Sequence, residues 1–194
     1  MANPGLEIYL FRHGETEWTL SGRHTGRTDI PLTPEGKQQA LELKKKLKNL
    51  SFTAVYSSPL QRSAETCRIA GYPEPTFDSR AQEWDYGLYE GLTSDQIRQL
   101  NPSWELFSQG APGGETPQSV SQRADALLQS LLPHTGKIAL FSHGHFLRAL
   151  AARWLNLDIS KGKLFFLSVA STSILGFEHS SKRVLRLWNE TSPT

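Results

Sequence analysis

Apolar positions along this chain fall into two alternating patterns. Leu6-Glu7-Ile8-Tyr9-Leu10-Phe11 is a short apolar run of the kind that forms a buried strand, and it stops at Arg12-His13-Gly14. The design recurs at Lys137-Ile138-Ala139-Leu140-Phe141-Ser142, which stops at His143-Gly144-His145. Between the two, Ala40, Leu43, Leu47 and Leu50 follow Thr33-Pro34 at helical spacing, so a capped helix is predicted from Pro34 to about Asn49. Thr53-Ala54-Val55-Tyr56-Ser57 predicts a short strand. Ser58-Pro59 repeats the cap-plus-proline signal and predicts a helix as far as Ala70. A further short strand is predicted at 75–78. Thr93 and Gln96 have capping-box spacing ahead of a short helix ending near Leu100. Residues 13–33 and 101–115 read as loops, the second partly helical around Trp104 and Phe107. Thr116-Pro117 opens a helix that buries Val120, Ala124, Leu127, Leu128 and Leu131, and another helix is expected from about Phe146 to Leu155. Segments 171–177 and 184–188, around Ser180-Ser181, predict a terminal hairpin.

Strands alternating with helices imply an α/β protein, a three-layer α/β/α sandwich with a largely parallel central sheet, and one domain spanning residues 1–194. The length of 194 residues suffices for a substantial core, and no internal repeat or linker interrupts it. A net charge of +2 is too small to suggest nucleic acid, and Lys44-Lys45-Lys46 lies in a helical pattern, where a solvated face is expected. The single cysteine, Cys67, excludes a disulfide framework and a cysteine-rich zinc site, and reads as a small buried hydrophobe. No apolar run approaches membrane-spanning length, and Met1-Ala2-Asn3-Pro4-Gly5 lacks the basic and apolar regions of a signal peptide. A cytoplasmic protein with no membrane partner is expected, with the choice between monomer and homo-oligomer open.

Two strand-like runs, each delivering a His-Gly pair at its carboxyl end, point to a site, because ligands of open α/β sheets gather there. Arg12 offers a planar fork of donors for phosphate oxygens. Arg62, in the first turn of the helix after Ser58-Pro59, can reach the same sheet edge beside helix amides that favour an anion. A neutral imidazole is a nucleophile without a separate base, so a phosphoryl group could pass to His13 while Arg12, Arg62 and His143 stabilise its oxygens. A leaving alkoxide needs a proton. Glu83, in Ala81-Gln82-Glu83-Trp84-Asp85-Tyr86-Gly87, is the best candidate, with flanking aromatics expected to favour its protonated form. Spacing alone does not separate it from Asp85, Glu15 or Glu115. His143-Gly144-His145 as a metal clamp would lack a nearby carboxylate or cysteine to complete it. His134 and His179 fall in predicted turns and are expected to face solvent. Trp18 and Trp84 either line the pocket or pack its rim.

Arg12-His13-Gly14-Glu15-Thr16, Arg62 after Ser57-Ser58-Pro59, Glu83 with Tyr86-Gly87, and Ser142-His143-Gly144 resemble the histidine phosphatase superfamily, which includes cofactor-dependent phosphoglycerate mutases and many phosphatases. The resemblance covers nearly the whole chain. It implies a phosphoglycerate mutase-like fold, transient phosphorylation of His13, proton donation by Glu83, and Arg12, Arg62 and His143 around the phosphoryl group. It implies neither metal nor cofactor, and a small phosphorylated metabolite as partner. Thr25-Gly26, in Arg23-His24-Thr25-Gly26, and Tyr86 match substrate-contacting positions of the mutases. Thr19 and His145 stand where the mutases carry asparagine, and with His24 and Gly144 complete the candidate substrate-binding set. The stretch after Glu83 is shorter than in the mutases, and 101–115 has no Lys or Arg to grip a phosphoglycerate carboxylate. The resemblance is therefore strongest to a phosphatase branch whose members include acid phosphatases and a sedoheptulose-bisphosphatase group acting on sugar phosphates. A phosphoglycerate mutase and a catalytically weak phospho-ligand binding protein remain as alternatives.

Overall fold

Strand β1 (Glu7–Arg12) sits at the centre of the molecule and explains the layering around it. Ile8 and Leu10 point to one face of the sheet and Tyr9 and Phe11 to the other, and all four are buried. The structure is a computed structural model describing residues 5–179 and 181–191. The leader reading at Met1–Pro4 and the Ser180 half of the predicted turn lie outside those residues.

Six strands form one sheet in the order β3-β2-β4-β1-β5-β6. These are β2 (Ala54–Ser57), β3 (Thr76–Phe77), β4 (Lys137–Ser142), β5 (Thr172–Glu178) and β6 (Lys182–Glu190). β1, β2, β3 and β4 run parallel, whereas β5 is antiparallel to both β1 and β6. The parallel expectation thus holds for the four-stranded block. Arg12 is level with Ser142 in the β1–β4 register, so both His-Gly pairs leave the sheet at the same edge.

Helices α2 (Pro34–Leu47) and α3 (Gln61–Ile69) cover one face, packing Leu43, Leu47 and Cys67 against Tyr9, Phe11 and Phe141. Helices α6 (Pro117–Leu131) and α7 (Gly144–Trp154) cover the other, where Val120, Leu127, Phe146 and Leu150 meet Ile8, Leu10, Ile138 and Leu140. Short helices α1 (Glu17–Leu20), α4 (Ser94–Leu100) and α5 (Leu106–Gln109) lie in the connections. Among the described residues, no helix is long and apolar enough to cross a membrane.

Several boundaries differ from the sequence reading. The 13–33 loop contains α1, whose capping box pairs Thr16 with Thr19. Ser58-Pro59 does not cap α3, which begins at Gln61 after Leu60 without a side-chain cap. α7 begins at Gly144, two residues earlier than expected, because its first amides find an acceptor elsewhere in the chain. His134 is not solvent-facing. It is half-buried, with Nε2 3.0 Å from the Tyr56 hydroxyl, whereas His179 is exposed. Gly14 and Gly36 meet back to back where β1 leaves the sheet beside α2. A Cβ on Gly14 would lie 2.4 Å from the Gly36 carbonyl oxygen.

Candidate active site

His13 is held at the end of β1 from both sides. Its amide donates to Ser142 O, and its carbonyl accepts from Ala170 N. Its Nδ1 lies 2.7 Å from Gly14 O. A carbonyl can only accept, so Nδ1 carries the proton and Nε2 keeps its lone pair. Burial, then the charges of Arg62 and Arg12, push the His13 pKa well below the usual imidazole range. The ring is therefore neutral at physiological pH, with a free lone pair, which is the requirement for a nitrogen nucleophile.

The His143 ring lies 5.1 Å from that of His13, centroid to centroid. It is fully buried, and its Nε2 is 2.8 Å from Ser58 Oγ. Burial, reinforced by Arg62, pushes its pKa well down too. Arg62, also fully buried, donates through Nη1 to Thr28 O and through Nη2 to Thr25 O and Gly26 O, and these bonds fix its plane. Arg12 is anchored by Nη1 to Leu167 O at 2.5 Å and lies flat on Gly144, where an added Cβ would sit 3.1 Å from its Cζ. Arg12 Nε, Arg62 Nε and His143 Nδ1 are buried and have no partner among the described residues. Buried polar groups are ordinarily paired, and the two guanidinium nitrogens can only donate, so they point to a ligand rich in acceptor oxygens.

Glu83 reaches the same cavity through another device. Its Oε1 accepts from Trp84 N (2.9 Å) and Phe146 N (2.7 Å), and its Oε2 from His145 N (3.0 Å). The carboxylate thus supplies the acceptors that the first turn of α7 lacks. This replaces the expected setting among flanking aromatics, since Trp84 turns into the core against Phe107. The competing acids are engaged elsewhere. Glu115 pairs with Arg123, Asp85 lies 3.5 Å from Arg27, and Glu15 accepts from the Thr33 hydroxyl.

The cavity, about 180 Å³, is lined by Arg12, His13, Glu83 and Gly144. Thr19, His24, Thr25, Tyr86, His145 and Trp18 line it as well. Of the expected substrate set, Gly26 lies behind the wall, donating to Glu90 and accepting from Arg62. Arg62 and His143 also stand behind the lining surface. Thr19 lines the cavity, but its hydroxyl serves the α1 cap. His145 Nδ1 meets the Tyr86 hydroxyl at 2.5 Å, while His24 packs edge-on against Tyr86 and tilted against Trp104. Burial and Arg98 lower the His24 pKa to about 4. His143 pairs with Ser58 and His145 with Tyr86, and among the described residues no cluster of His, Cys, Asp and Glu has metal-holding geometry.

The sequence reading missed Arg148, Arg23 and Leu167 in the cavity wall. Arg148 lies on α7 one turn after Gly144. It donates to Gly162 O and Lys163 O, and its guanidinium lies 4.8 Å from the Phe107 ring centre. The signal was available, because His145 and Arg148 share an i,i+3 face. The 101–115 stretch carries no Lys or Arg, and a further cation in the cavity wall comes from α7.

Known proteins resemble the chain along most of its length. Residues 8–191 match the model of the histidine phosphatase superfamily (branch 1). The chain is 40% identical over 182 residues to an acid phosphatase of Mycobacterium tuberculosis, covering 91% of this chain and 89% of that protein. It is 34% identical over 186 residues to a probable phosphoglycerate mutase of Salmonella choleraesuis, covering 90% and 86%. Among solved structures, a mycobacterial glucosyl-3-phosphoglycerate phosphatase complexed with VO3 superposes with a TM-score of 0.86 at 26% identity, covering 95% of this chain and 99% of that one.

Proposed function

The chain belongs to the histidine phosphatase superfamily (branch 1) and is a phosphoric monoester hydrolase; from that premise we propose that it hydrolyses small phosphomonoesters, sugar phosphates foremost, through a phosphohistidine on His13. The observation that carries the reading is a neutral His13 with a free Nε2 in the cavity lining, close to the His143 ring, together with three buried nitrogens, Arg12 Nε, Arg62 Nε and His143 Nδ1, that have no partner among the described residues. In the first step Nε2 attacks phosphorus and the ester P–O bond breaks. Arg12, Arg62 and His143 stabilise the equatorial oxygens, and the leaving alkoxide takes a proton from Glu83. In the second step the Glu83 carboxylate takes a proton from water as the water oxygen attacks phosphorus. The P–N bond breaks, phosphate leaves and Glu83 regains its proton. The hydroxyls of Thr25 and Tyr86 and the rings of His24 and His145 suit a polyhydroxylated leaving group. The chemistry runs on protein groups alone, in the cytoplasm, on a chain folded as one domain.

The probable mutase among the relatives supports a second reading, interconversion of phosphoglycerates, with Arg148 as a cation for the carboxylate. One experiment separates the readings. Phosphate release is followed from sugar bisphosphates, phosphoglycerates and an aryl phosphate, with and without chelator, at acidic and neutral pH, alongside His13→Ala. Phosphate release by wild type only, unchanged by chelator, is the expected result. Interconversion of phosphoglycerates without net phosphate release would replace the hydrolase reading by the mutase. Substantial release by His13→Ala would overturn the phosphohistidine step. Phosphate retention with neither activity would leave a binding protein.

A further inference from the structure

Ser58 has no role in the chemistry described above, yet it is fully buried and its hydroxyl touches the ring of His143. It follows β2 directly, and its amide donates to Phe141 O, which locks its backbone to the strand that leads into His143. The hydroxyl has two partners, Leu60 N at 3.3 Å and His143 Nε2 at 2.8 Å. A serine hydroxyl has one proton to donate and can accept two. Leu60 N–H can only donate, so it occupies a lone pair, and the Ser58 proton has one acceptor on offer, His143 Nε2. The opposite arrangement, with Nε2–H donating to Ser58, would strand a buried hydroxyl proton, which is unfavourable. It would also leave a bare lone pair on Nδ1, beside a substrate whose oxygens are themselves acceptors.

We propose that Ser58 is a positioning residue that fixes the His143 tautomer, holding the proton on Nδ1 so that a neutral imidazole presents an N–H to the phosphoryl group. His143 Nδ1, which has no protein partner, then joins Arg12 Nε and Arg62 Nε as a third donor. The role needs no positive charge on the ring, in keeping with the burial that disfavours one. His145 shows the reverse setting in the same molecule. There the Tyr86 hydroxyl meets Nδ1, and when it donates its proton to that nitrogen the ring proton sits on Nε2.

The inference rests on the phosphohistidine reading for its purpose, but its test does not depend on turnover. Protein labelled with 15N-histidine is examined by two-bond 1H–15N spectroscopy at neutral pH. Wild type is expected to show His143 as the Nδ1–H tautomer and His145 as Nε2–H. Ser58→Ala should shift His143 alone toward Nε2–H and lower kcat about 10- to 100-fold, as expected for weakening one donor to the transition state, with a smaller change in KM. Ser58→Thr, which keeps the hydroxyl, should restore both tautomer and kcat. An Nε2–H tautomer at His143 in wild type would overturn the proposal without any variant, as would Ser58→Ala with an unchanged tautomer. If His13 were never phosphorylated while the wild-type tautomers matched, the catalytic reading would fail and the tautomer assignment would stand.

Discussion

At the scale of single residues, the site works by removing choices. His13 is held neutral by burial and by two guanidinium charges, so it should stay competent where a free imidazole is protonated. The profile of kcat/KM against pH should accordingly show no acid break near 6.5, and a steep loss of activity between pH 7 and 5.5 would contradict this. Glu83→Gln keeps the shape but turns an amide donor toward amides that already donate. Turnover should fall about 10²- to 10⁴-fold and stability by about 1–3 kcal/mol, checked by steady-state kinetics and urea unfolding. Cys67, its thiol pushed up to about 12 by burial, should resist a thiol-directed disulfide reagent in the native protein and react once it is unfolded. His13, His143 and Arg62 were legible as candidates because short-range signals mark them: an apolar run, an abrupt polar stop, a glycine, a proline. Glu83 was not separable from Asp85, Glu15 or Glu115 by spacing. What singles it out, the first amides of α7, comes some sixty residues later in the chain.

At the scale of elements, α7 joins sheet to site. It begins without a side-chain cap of its own and takes Glu83 as acceptor, so helix start and the carboxylate proposed as proton donor are one structural unit. This is why the helix could not be bounded correctly from its local sequence. Conversely, the caps at Thr33, Thr93 and Thr116 were read correctly, because each acceptor lies within three residues of its donor. Ser58-Pro59 misled for the opposite reason. Its hydroxyl is spent on His143, and the helix starts at Gln61. At the Gly14–Gly36 contact, backbone meets backbone and nothing can rotate aside. Gly14→Ala should therefore destabilise the protein by about 1–3 kcal/mol, seen as a lower melting temperature. A variant that melts with wild type would show the contact to be looser than its geometry.

At the scale of the whole molecule, four histidines with lowered pKa values tie stability to acidity. The folded state binds fewer protons at His13, His24, His143 and His145 than the unfolded chain, whose histidines titrate near 6.5. That stability is fully present above 6.5. It falls as pH drops through the window between the unfolded and folded pKa values, by up to about 1.4 kcal/mol per pH unit for each such group, and for His24 the window closes near 4. The urea midpoint should decline steadily from pH 7 to 4.5, and a flat midpoint would mean that these rings are charged in the folded protein. The sheet order also governs how the molecule comes into being. β1, first of the strands in the chain, lies between β4 and β5, with register partners at 137–142 and 172–175. While the polypeptide emerges from the ribosome, this apolar strand must wait for both neighbours, and such distant pairings close slowly. His13 and His143 meet only when that wait ends, so a nascent chain can carry the signature of a phosphatase long before it has a pocket for phosphate.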